Sequence, residues 1–389
     1  MTEARRLRIL MVTRNLPPLV GGMERLNWHM AEGLAKRAEV RVVGPHGAAA
    51  FALDGVVVRE APLVPLWKFL WHARSIARRE ARIWKPDIVL AGSGLTAPIA
   101  RSAAATCRAR TVVYVHGLDI AVRHPIYRAI WLEAIRRMDH VIANSHPTSD
   151  LCRGIGVPSE RIGVVHPGVD LPDLAELQGA GYRFRNEHDL GDRRMLLSVG
   201  RLSARKGLRE FVTQAFPQIV SACPDVMLLI VGDAPHQALR AEAQHPASIQ
   251  EAADVAGVGE HVRFLGPIPD DALAAAYLAA DVHVFPIREL PGDPEGFGMV
   301  AIEAAAHGLP TVAFGTGGVI DAVAEGKSGA LVVPGDYVAL ANATISQLNQ
   351  GDGMRERCLE HATSFSWARF NERLGAALKL PSSRVEHAS

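Results

Sequence analysis

Short apolar runs rich in β-branched residues alternate with helix-like stretches along the whole chain. This alternation is typical of parallel sheets whose strands are joined by crossover helices, so it predicts an α/β protein. In the first half the predicted strands cover residues 7–13, 40–43, 87–91, 111–115 and 140–143. In the second half they cover residues 195–199, 226–231, 262–265, 282–285 and 311–313.

A polar, irregular stretch rich in Asp and Gly divides the two halves and predicts a linker near residues 172–190. A chain of 389 residues is also long enough for two domains. We expect a first domain over residues 1–180 and a second over residues 181–365. The tail, residues 366–389, is predicted to form an amphipathic helix whose apolar face carries Trp367, Phe370, Leu374 and Leu378.

Cysteine usage and hydropathy narrow the class of protein. The four cysteines are widely scattered, which fits a reducing compartment and argues against a disulfide framework or a zinc cluster. Residues 1–10 lack the apolar core of a signal peptide, and no apolar run approaches the roughly 20 residues that span a bilayer. We expect a cytoplasmic protein that is soluble or peripheral on the cytoplasmic face of the inner membrane.

The near-neutral net charge of +1 hides an asymmetry. Residues 1–180 hold 24 Lys and Arg against 16 Asp and Glu, whereas the remainder holds 18 against 25. A basic first half suggests an anionic partner or surface, with ordinary variation in surface charge as the alternative. We expect no nucleic-acid partner.

The strongest chemical signal is an acidic, glycine-containing loop before a helix. Glu295 lies in this loop, and Glu303 lies about one turn inside the helix-like stretch that ends at Gly308. Glycines let the backbone approach a ligand closely, and the free amides of a helix N-terminus favour a phosphate. The loop therefore predicts amides for a diphosphate and carboxylates for sugar and ribose hydroxyls. A helix cap beside one solvated Glu is the alternative. The loop residues concerned are Glu295, Gly296, Phe297 and Gly298.

Two cations follow a predicted strand at Gly200-Arg201-Leu202 and Lys206-Gly207. Loops after the carboxyl ends of strands line the ligand crevice of open α/β sheets. A planar fork of donors beside a compact charge suits diphosphate oxygens. Arg201 and Lys206 are therefore candidate diphosphate ligands, and two surface cations flanking a helix start are the alternative.

The first half holds two weaker signals. Gly21 and Gly22 precede a predicted helix, where an amide-lined loop can approach phosphate or sugar, although paired glycines more often form a simple turn. His116 ends a predicted strand, with Asp119 nearby. A His at this position can hydrogen-bond a sugar hydroxyl, although a lone His is more often structural.

Together these residues resemble the retaining glycosyltransferase family four, whose GT-B fold has two Rossmann-like domains facing each other across a cleft. The motifs fall in the family's order over nearly the whole chain. They are Pro18 to Gly22, His116-Gly117 with Asp119, Asn144-Ser145, residues 166–170, Gly200-Arg201-Leu202 with Lys206-Gly207, Val231-Gly232-Asp233, Glu295 through Glu303, and Gly317-Gly318. Two departures are Asp321, where relatives often carry Glu, and Ala234-Pro235, where Gly-Pro is usual.

The resemblance implies a catalytic set of His116, Arg201, Lys206 and Glu295. Arg201 and Lys206 would hold the donor diphosphate, Glu295 would contact donor-sugar hydroxyls, and His116 would contact the sugar near its reacting end. The tail would cross back onto the first domain. The implied donor-binding residues are Gly21, Gly22, Asp119, Gly232, Asp233, Gly296, Phe297, Gly298 and Glu303, the last at the ribose.

The implied reaction moves a hexose from a UDP- or GDP-sugar to a glycan or lipid-linked acceptor with retention of configuration. No Asp-x-Asp motif occurs in the chain, so we expect Arg201 and Lys206 to replace a metal at the leaving phosphate, with no cofactor. In the mechanism favoured for the relatives, the acceptor attacks the sugar on the face from which the phosphate leaves. The leaving phosphate takes the acceptor's proton, and no protein nucleophile takes part.

Other functions stay open at this point. Residues 92–97 fit a dinucleotide fingerprint, but they follow a later strand, and no acidic residue ends the next strand. Gly326-Lys327-Ser328 imitates a phosphate-binding loop, but Asp321 stands where that loop needs glycine. A non-catalytic nucleotide-sugar-binding protein and a nucleotide-sugar epimerase of the same fold are the remaining alternatives.

A basic stretch over residues 68–85 bears on the acceptor. As a helix, it carries Arg74, Arg78 and Arg82 on one face, and Glu80 is its one acid. A basic amphipathic helix with aromatic residues can lie on an anionic membrane surface. The alternative is an ordinary helix whose apolar stripe packs on the sheet. The basic residues are Lys68, Arg74, Arg78, Arg79, Arg82 and Lys85, and the predicted apolar stripe is Phe69, Ala73, Ile76, Ile83 and Trp84.

Overall fold

The computed structural model describes residues 5–52, 54–234 and 244–381. The chain divides into two compact units. One comprises Met1–Gly168 together with Trp367–Ser389, and the other comprises Val169–Ser366. Pro235 and residues 382–389, which belong to the predicted motif and tail, lie outside the described residues.

Each unit is built on one parallel sheet, as the apolar runs predict. The strands of the first unit are β1 (Arg8–Val12), β2 (Glu39–Pro45), β3 (Val56–Ala61), β4 (Ile88–Ala91), β5 (Arg110–Val115), β6 (His140–Ala143) and β7 (Ile162–Val164). The strands of the second are β8 (Met195–Val199), β9 (Met227–Val231), β10 (Val262–Gly266), β11 (Val282–Phe285), β12 (Thr311–Phe314) and β13 (Gly329–Val332).

Helices connect these strands. In the first unit they are α1 (Gly22–Ala35), α2 (Leu66–Trp84), α3 (Ala97–Ala104), α4 (Leu118–Ala121), α5 (Pro125–Tyr127), α6 (Glu133–Arg136) and α7 (His146–Gly154). In the second they are α8 (Ala180–Glu187), α9 (Leu208–Gln214), α10 (Phe216–Ala222), α11 (Pro246–Val255), α12 (Asp270–Ala279), α13 (Met299–Ala306), α14 (Val319–Ala322), α15 (Tyr337–Gln350) and α16 (Arg355–Thr363). The last helix is α17 (Trp367–Leu378). Among the described residues, no helix is both long and apolar enough to cross a membrane.

The strand order reverses once in each sheet. It is β3-β2-β1-β4-β5-β6-β7 in the first unit and β10-β9-β8-β11-β12-β13 in the second. The predicted fold of two Rossmann-like domains is therefore confirmed. In such sheets ligands bind outside the carboxyl ends of the strands at the reversal, which here lies between β1 and β4 and between β8 and β11.

The final helix belongs to the first unit, as the resemblance implies. α17 buries Phe370, Leu374 and Leu378 in a core cluster that also contains Leu26 and Met30 of α1. The opposite face of the same sheet is covered by α2, α3, α6 and α7. The tail helix therefore completes one of the two apolar layers on the first sheet.

The boundary between the units differs from the predicted one. Residues 169–180, predicted to end the first domain, lie in the second unit. The amide of Val169 donates to the Phe365 carbonyl at 2.7 Å, which fastens this stretch to the end of the second unit. The predicted linker over residues 172–190 was wrong in part, since it contains α8. Phe184 of α8 is buried, and the polar composition of the stretch concealed this apolar anchor.

We expect Leu374→Ala to lower the free energy of unfolding of the first unit by about 2–5 kcal/mol, because it removes a fully buried side chain and leaves a cavity. All six tryptophans lie in the first unit, so their fluorescence in urea reports on that unit alone. Arg373→Ala, an exposed change on the same helix, is the control. Equal stability of the two variants would contradict the packing of α17.

Candidate functional site

The loops after β8 and β9 meet at the carboxyl edge of the second sheet. The Gly200 amide donates to the Val231 carbonyl at 3.0 Å, and the Leu202 amide donates to the Asp233 carbonyl at 2.9 Å. A Cβ at Gly232 would lie 2.1 Å from the Gly200 carbonyl oxygen, so the contact requires glycine. This packing holds Arg201 exposed at the edge, and its guanidinium makes no hydrogen bond with the described residues. A small cavity opens there, lined by Ser198, Val199, Gly200, Arg201, Leu202, Lys206, Leu208 and Phe285.

Glu295 lies at the centre of a buried ion network. Its Oε2 accepts hydrogen bonds from Arg205 Nη1 at 2.6 Å and from Lys206 Nζ at 2.9 Å. All three side chains are at most 15% exposed. Lys206 Nζ also lies 4.6 Å from the centre of the Phe285 ring. The structure therefore brings Glu295 and Lys206 together, as predicted residues of one site, and adds Arg205.

The charges of this network fix its protonation. Burial by itself would raise the pKa of the Glu295 carboxyl, but the charges of Arg205 and Lys206 outweigh burial and lower that pKa to about 2. Burial lowers the pKa of Lys206 in spite of the Glu295 carboxylate, which favours the charged lysine. Burial, and then the charge of Lys206, lowers the pKa of nearby His283 to about 3. His283 is therefore neutral near pH 7, while Glu295 is ionised.

The backbone behind Glu295 is packed against a second glycine loop. The Gly318 amide donates to the Glu295 carbonyl at 2.9 Å. A Cβ at Gly318 would lie 2.0 Å from the Gly296 carbonyl oxygen, so no other residue fits there. Gly298 then caps α13 in the left-handed region, with φ of 93°. The predicted order of loop and helix is therefore confirmed.

Two predicted donor-binding side chains in this segment are buried rather than presented at the surface. Phe297 is 2% exposed and packs against Phe365, so only its backbone is available to a ligand. Glu303 is 7% exposed, and its Oε2 accepts a hydrogen bond from the Tyr277 hydroxyl at 3.2 Å. Tyr277 stacks in turn on His307. This aromatic support for Glu303 was not predicted.

In the first unit, His116 lies at the end of β5. Its Nε2 is 3.0 Å from the Gly92 carbonyl oxygen, which can only accept a hydrogen bond. Nε2 therefore carries a proton, and in the neutral tautomer with this proton Nδ1 is an acceptor. Asp119 Oδ2 accepts from the amides of Gly94 and His116, so it ties the loops after β4 and β5 together. The side chain of Asp119 thus has a structural role, which a motif alone does not reveal.

Gly21 and Gly22 lie where α1 begins, after the loop that follows β1. Gly21 occupies the cap position, and Gly22 is the first residue of the helix. Glu24 in the first turn accepts a hydrogen bond from the Asn15 amide group at 2.7 Å, which fastens the loop to the helix. Gly21, Gly22, Asp119 and His116 belong to the first unit, and the other predicted residues belong to the second.

Comparisons with families cover both units. The family described as Glycosyltransferase Family 4 matches residues 20–172, and the family described as Glycosyl transferases group 1 matches residues 183–365. These two matches divide the chain near the boundary that the structure shows.

Among individual proteins, a GDP-mannose-dependent alpha-(1-6)-phosphatidylinositol monomannoside mannosyltransferase of Mycolicibacterium smegmatis is 30% identical over 349 residues. The match covers 86% of this chain and 87% of the relative. D-inositol 3-phosphate glycosyltransferase 1 of Catenulispora acidiphila is 35% identical over 256 residues, covering 63% of this chain and 58% of the relative. The crystal structure of Anabaena Alr3699/HepE in complex with UDP and glucose is similar in fold. It has a TM-score of 0.77 and 21% identity over 96% of this chain and 99% of that one.

Proposed function

Since the chain belongs to glycosyltransferase family 4, we propose that it moves a hexose from a UDP- or GDP-sugar to a glycan or lipid-linked acceptor, with retention of configuration. The observation that carries this proposal is the pair of cations at the strand reversal of the second sheet. Arg201 is exposed there, and Lys206 lies beside the ionised Glu295.

This arrangement suits the leaving group of the reaction. Breaking the anomeric C–O bond builds positive charge on the sugar and negative charge on the departing phosphate. The hydrogen-bonded loops after β8 and β9 place Arg201 at this strand end, and Lys206 lies there beside Glu295, so both positive charges are near the departing phosphate before cleavage. The same two cations are our reason for proposing a reaction that needs no metal and no cofactor.

The carboxylates and the histidine suit the sugar. Glu295 Oε1 makes no hydrogen bond with the described residues and can accept one from a sugar hydroxyl. Glu303, supported by Tyr277, can accept one from the ribose. In the first unit, Nδ1 of His116 can accept a hydrogen bond from a hydroxyl of the transferred sugar. Of the predicted donor-binding residues, Gly232, Asp233, Gly296 and Gly298 would contribute backbone and close approach.

The names of the relatives support the donor and acceptor classes. One relative is named for GDP-mannose and a phosphatidylinositol mannoside, and another for inositol 3-phosphate. The similar solved structure holds UDP and glucose. We therefore propose either uracil or guanine as the base of the donor, and an acceptor that carries a phosphorylated polyol or lipid.

A lipid-linked acceptor also fits the outer face of α2. Phe69, Ala73 and Trp84 of the predicted apolar stripe pack on the sheet, and Ile76 is partly buried against them, so these residues form an ordinary core face. The prediction was wrong for Ile83, which is 69% exposed. Trp67 and Trp71, however, are 64% and 66% exposed. They lie on the same helical face as the arginines, because residues 67, 71, 74, 78 and 82 follow one another at spacings of three or four.

The charge of α2 is also almost purely positive on this outer face. Its one acid, Glu80, is buried, and it accepts hydrogen bonds from Arg41 at 2.7 Å and Arg59 at 3.0 Å. Exposed tryptophans beside arginines are the composition of a surface that lies on anionic lipid. We therefore propose that α2 attaches the protein to the cytoplasmic face of a membrane.

We expect Lys206→Ala and Arg201→Ala each to lower kcat about 100-fold or more, because each removes a cation from the leaving diphosphate. A thermal-shift panel of UDP- and GDP-sugars identifies the donor first, and transfer of labelled sugar then gives kcat. Arg209→Ala, an exposed cation on α9, is the control. Near-wild-type rates in both variants would refute the assignment of these cations. Donor binding without transfer would support the binding-protein alternative, and an epimerised product would support the epimerase alternative.

We expect full transfer activity in EDTA, because the leaving phosphate is neutralised by side chains. The same transfer assay is run before and after chelation, and then with added Mg²⁺ or Mn²⁺. Activity that collapses on chelation and returns with either ion would show that a metal is required.

We expect the wild type to sediment with vesicles containing phosphatidylserine and an Arg74/Arg78/Arg82→Glu variant to stay in solution. Each basic residue near an anionic surface contributes about 1 kcal/mol, and salt weakens the attraction. An Arg183/Arg193/Arg209→Glu variant makes the same change in net charge on exposed residues of the second unit, and it should still bind. A wild type that remains soluble at low salt, or a control variant that also fails to bind, would contradict a role of α2.

A further inference from the structure

We propose that Arg205 is the positioning residue of the donor site. It holds the Glu295 carboxylate by Oε2, turns Oε1 towards the transferred sugar, and keeps this arrangement when the donor diphosphate engages Lys206. This inference rests on the proposed function. Arg205 falls between the two predicted cations in the sequence, and the sequence motifs assign it no role.

Arg205 contacts three consecutive residues of the loop between β11 and α13. Its Nη1 donates to Glu295 Oε2 at 2.6 Å and lies 3.4 Å from the Pro294 carbonyl oxygen, while its Nε lies 3.3 Å from Asp293 Oδ1. The Arg205 carbonyl also accepts a hydrogen bond from the Arg288 amide at 2.8 Å. Arg205 is therefore anchored by its backbone and by its side chain to the segment that presents Glu295.

The roles of Arg205 and Lys206 follow from their contacts with the Glu295 carboxylate. Arg205 and Lys206 both bond to Oε2 of Glu295, and Oε1 makes no hydrogen bond with the described residues. A diphosphate at the end of β8 would compete for Lys206, which sits on a flexible stem with three donors. Glu295 would then depend on Arg205 alone to stay ionised and in place.

Arginine suits this task better than lysine. Its planar fork can reach two acceptors at once, and it stays charged in surroundings where burial lowers the pKa of the neighbouring Lys206. Arg201, which is exposed, is free to meet the ligand. The three cations of this loop therefore have different roles. Arg201 binds phosphate, Lys206 binds Glu295 and then phosphate, and Arg205 binds Glu295 throughout.

The test compares binding of a sugar nucleotide with binding of its bare nucleoside diphosphate. GDP-mannose is measured against GDP, and UDP-glucose against UDP, by calorimetry on wild type, Arg205→Met, Arg205→Lys and the exposed control Arg209→Met. We expect Arg205→Met to lose about tenfold in affinity for the sugar nucleotide. Without Arg205 the Glu295 carboxylate is misplaced, and its hydrogen bond with a sugar hydroxyl is weakened. Its affinity for the bare diphosphate should stay within about threefold of wild type. Arg205→Lys should recover part of the loss.

Two further readouts separate positioning from simple stability. The kcat of Arg205→Met should fall about 100-fold, with the KM for donor changing far less than kcat, because misplacement of about 1 Å costs that much in rate. The pH dependence should also change. Losing a neighbouring cation raises the pKa of the Glu295 carboxyl, so this group becomes protonated at a higher pH in the variant. As the pH is lowered, the variant should therefore lose sugar-nucleotide affinity earlier than wild type.

Each outcome decides the matter. Equal loss of diphosphate and sugar-nucleotide affinity would make Arg205 a phosphate ligand and overturn the proposal. Unchanged sugar-nucleotide affinity and an unshifted pH profile beside an active wild type would also overturn it, while leaving the proposed function intact. A wild type that binds neither sugar nucleotide would refute the proposed function and this role with it. If Arg205→Met does not fold, Arg205→Lys decides, and wild-type affinity, kcat and pH profile in that variant would count against the proposal.

Discussion

Two buried cations share a single carboxylate oxygen at the edge of the second sheet, and the surrounding loops are arranged around that contact. Removing a charge from water costs several kcal/mol, so Arg205, Lys206 and Glu295 can be buried only because they pair with one another. The loop after β11 therefore cannot leave the loop after β8 without leaving a buried charge unpaired. A donor phosphate bound as proposed would meet positive charge that is already at the strand end, which favours strong electrostatic stabilisation.

The parallel sheets could be predicted because their central strands are short, continuous apolar runs. All ten predicted strands occur in the structure, β1 and β8 among them. The three missed strands, β3, β7 and β13, are all edge strands, and most of their residues are exposed or only partly buried, so their apolar signal is weak. α8 was missed for a related reason, since its few buried residues, such as Phe184, stand among polar ones.

The sequence predicts those site residues whose position depends only on residue type and on where a strand or helix begins or ends. Glycine before a helix and a cation after a strand have local causes, so Gly298 and Lys206 lie where the pattern places them. Pairing across the fold has no local signature. Arg205 reads in the sequence as one more surface cation, and its attachment to Glu295 depends on β8 and β11 being neighbours in the sheet. The burial of Phe297 likewise depends on Phe365, far along the chain.

The return of α17 to the first unit makes that unit discontinuous in the chain, and this sets the order in which it can be completed on the ribosome. Strands β1 to β7 emerge early, but the core cluster around Leu26 and Met30 lacks the side chains of Phe370, Leu374 and Leu378 until residues 367–378 have been synthesised. Domains usually fold as units in order of synthesis, whereas this unit must wait for the whole of the other. A fragment ending at Gly168 would lack these side chains permanently, because it ends before α17.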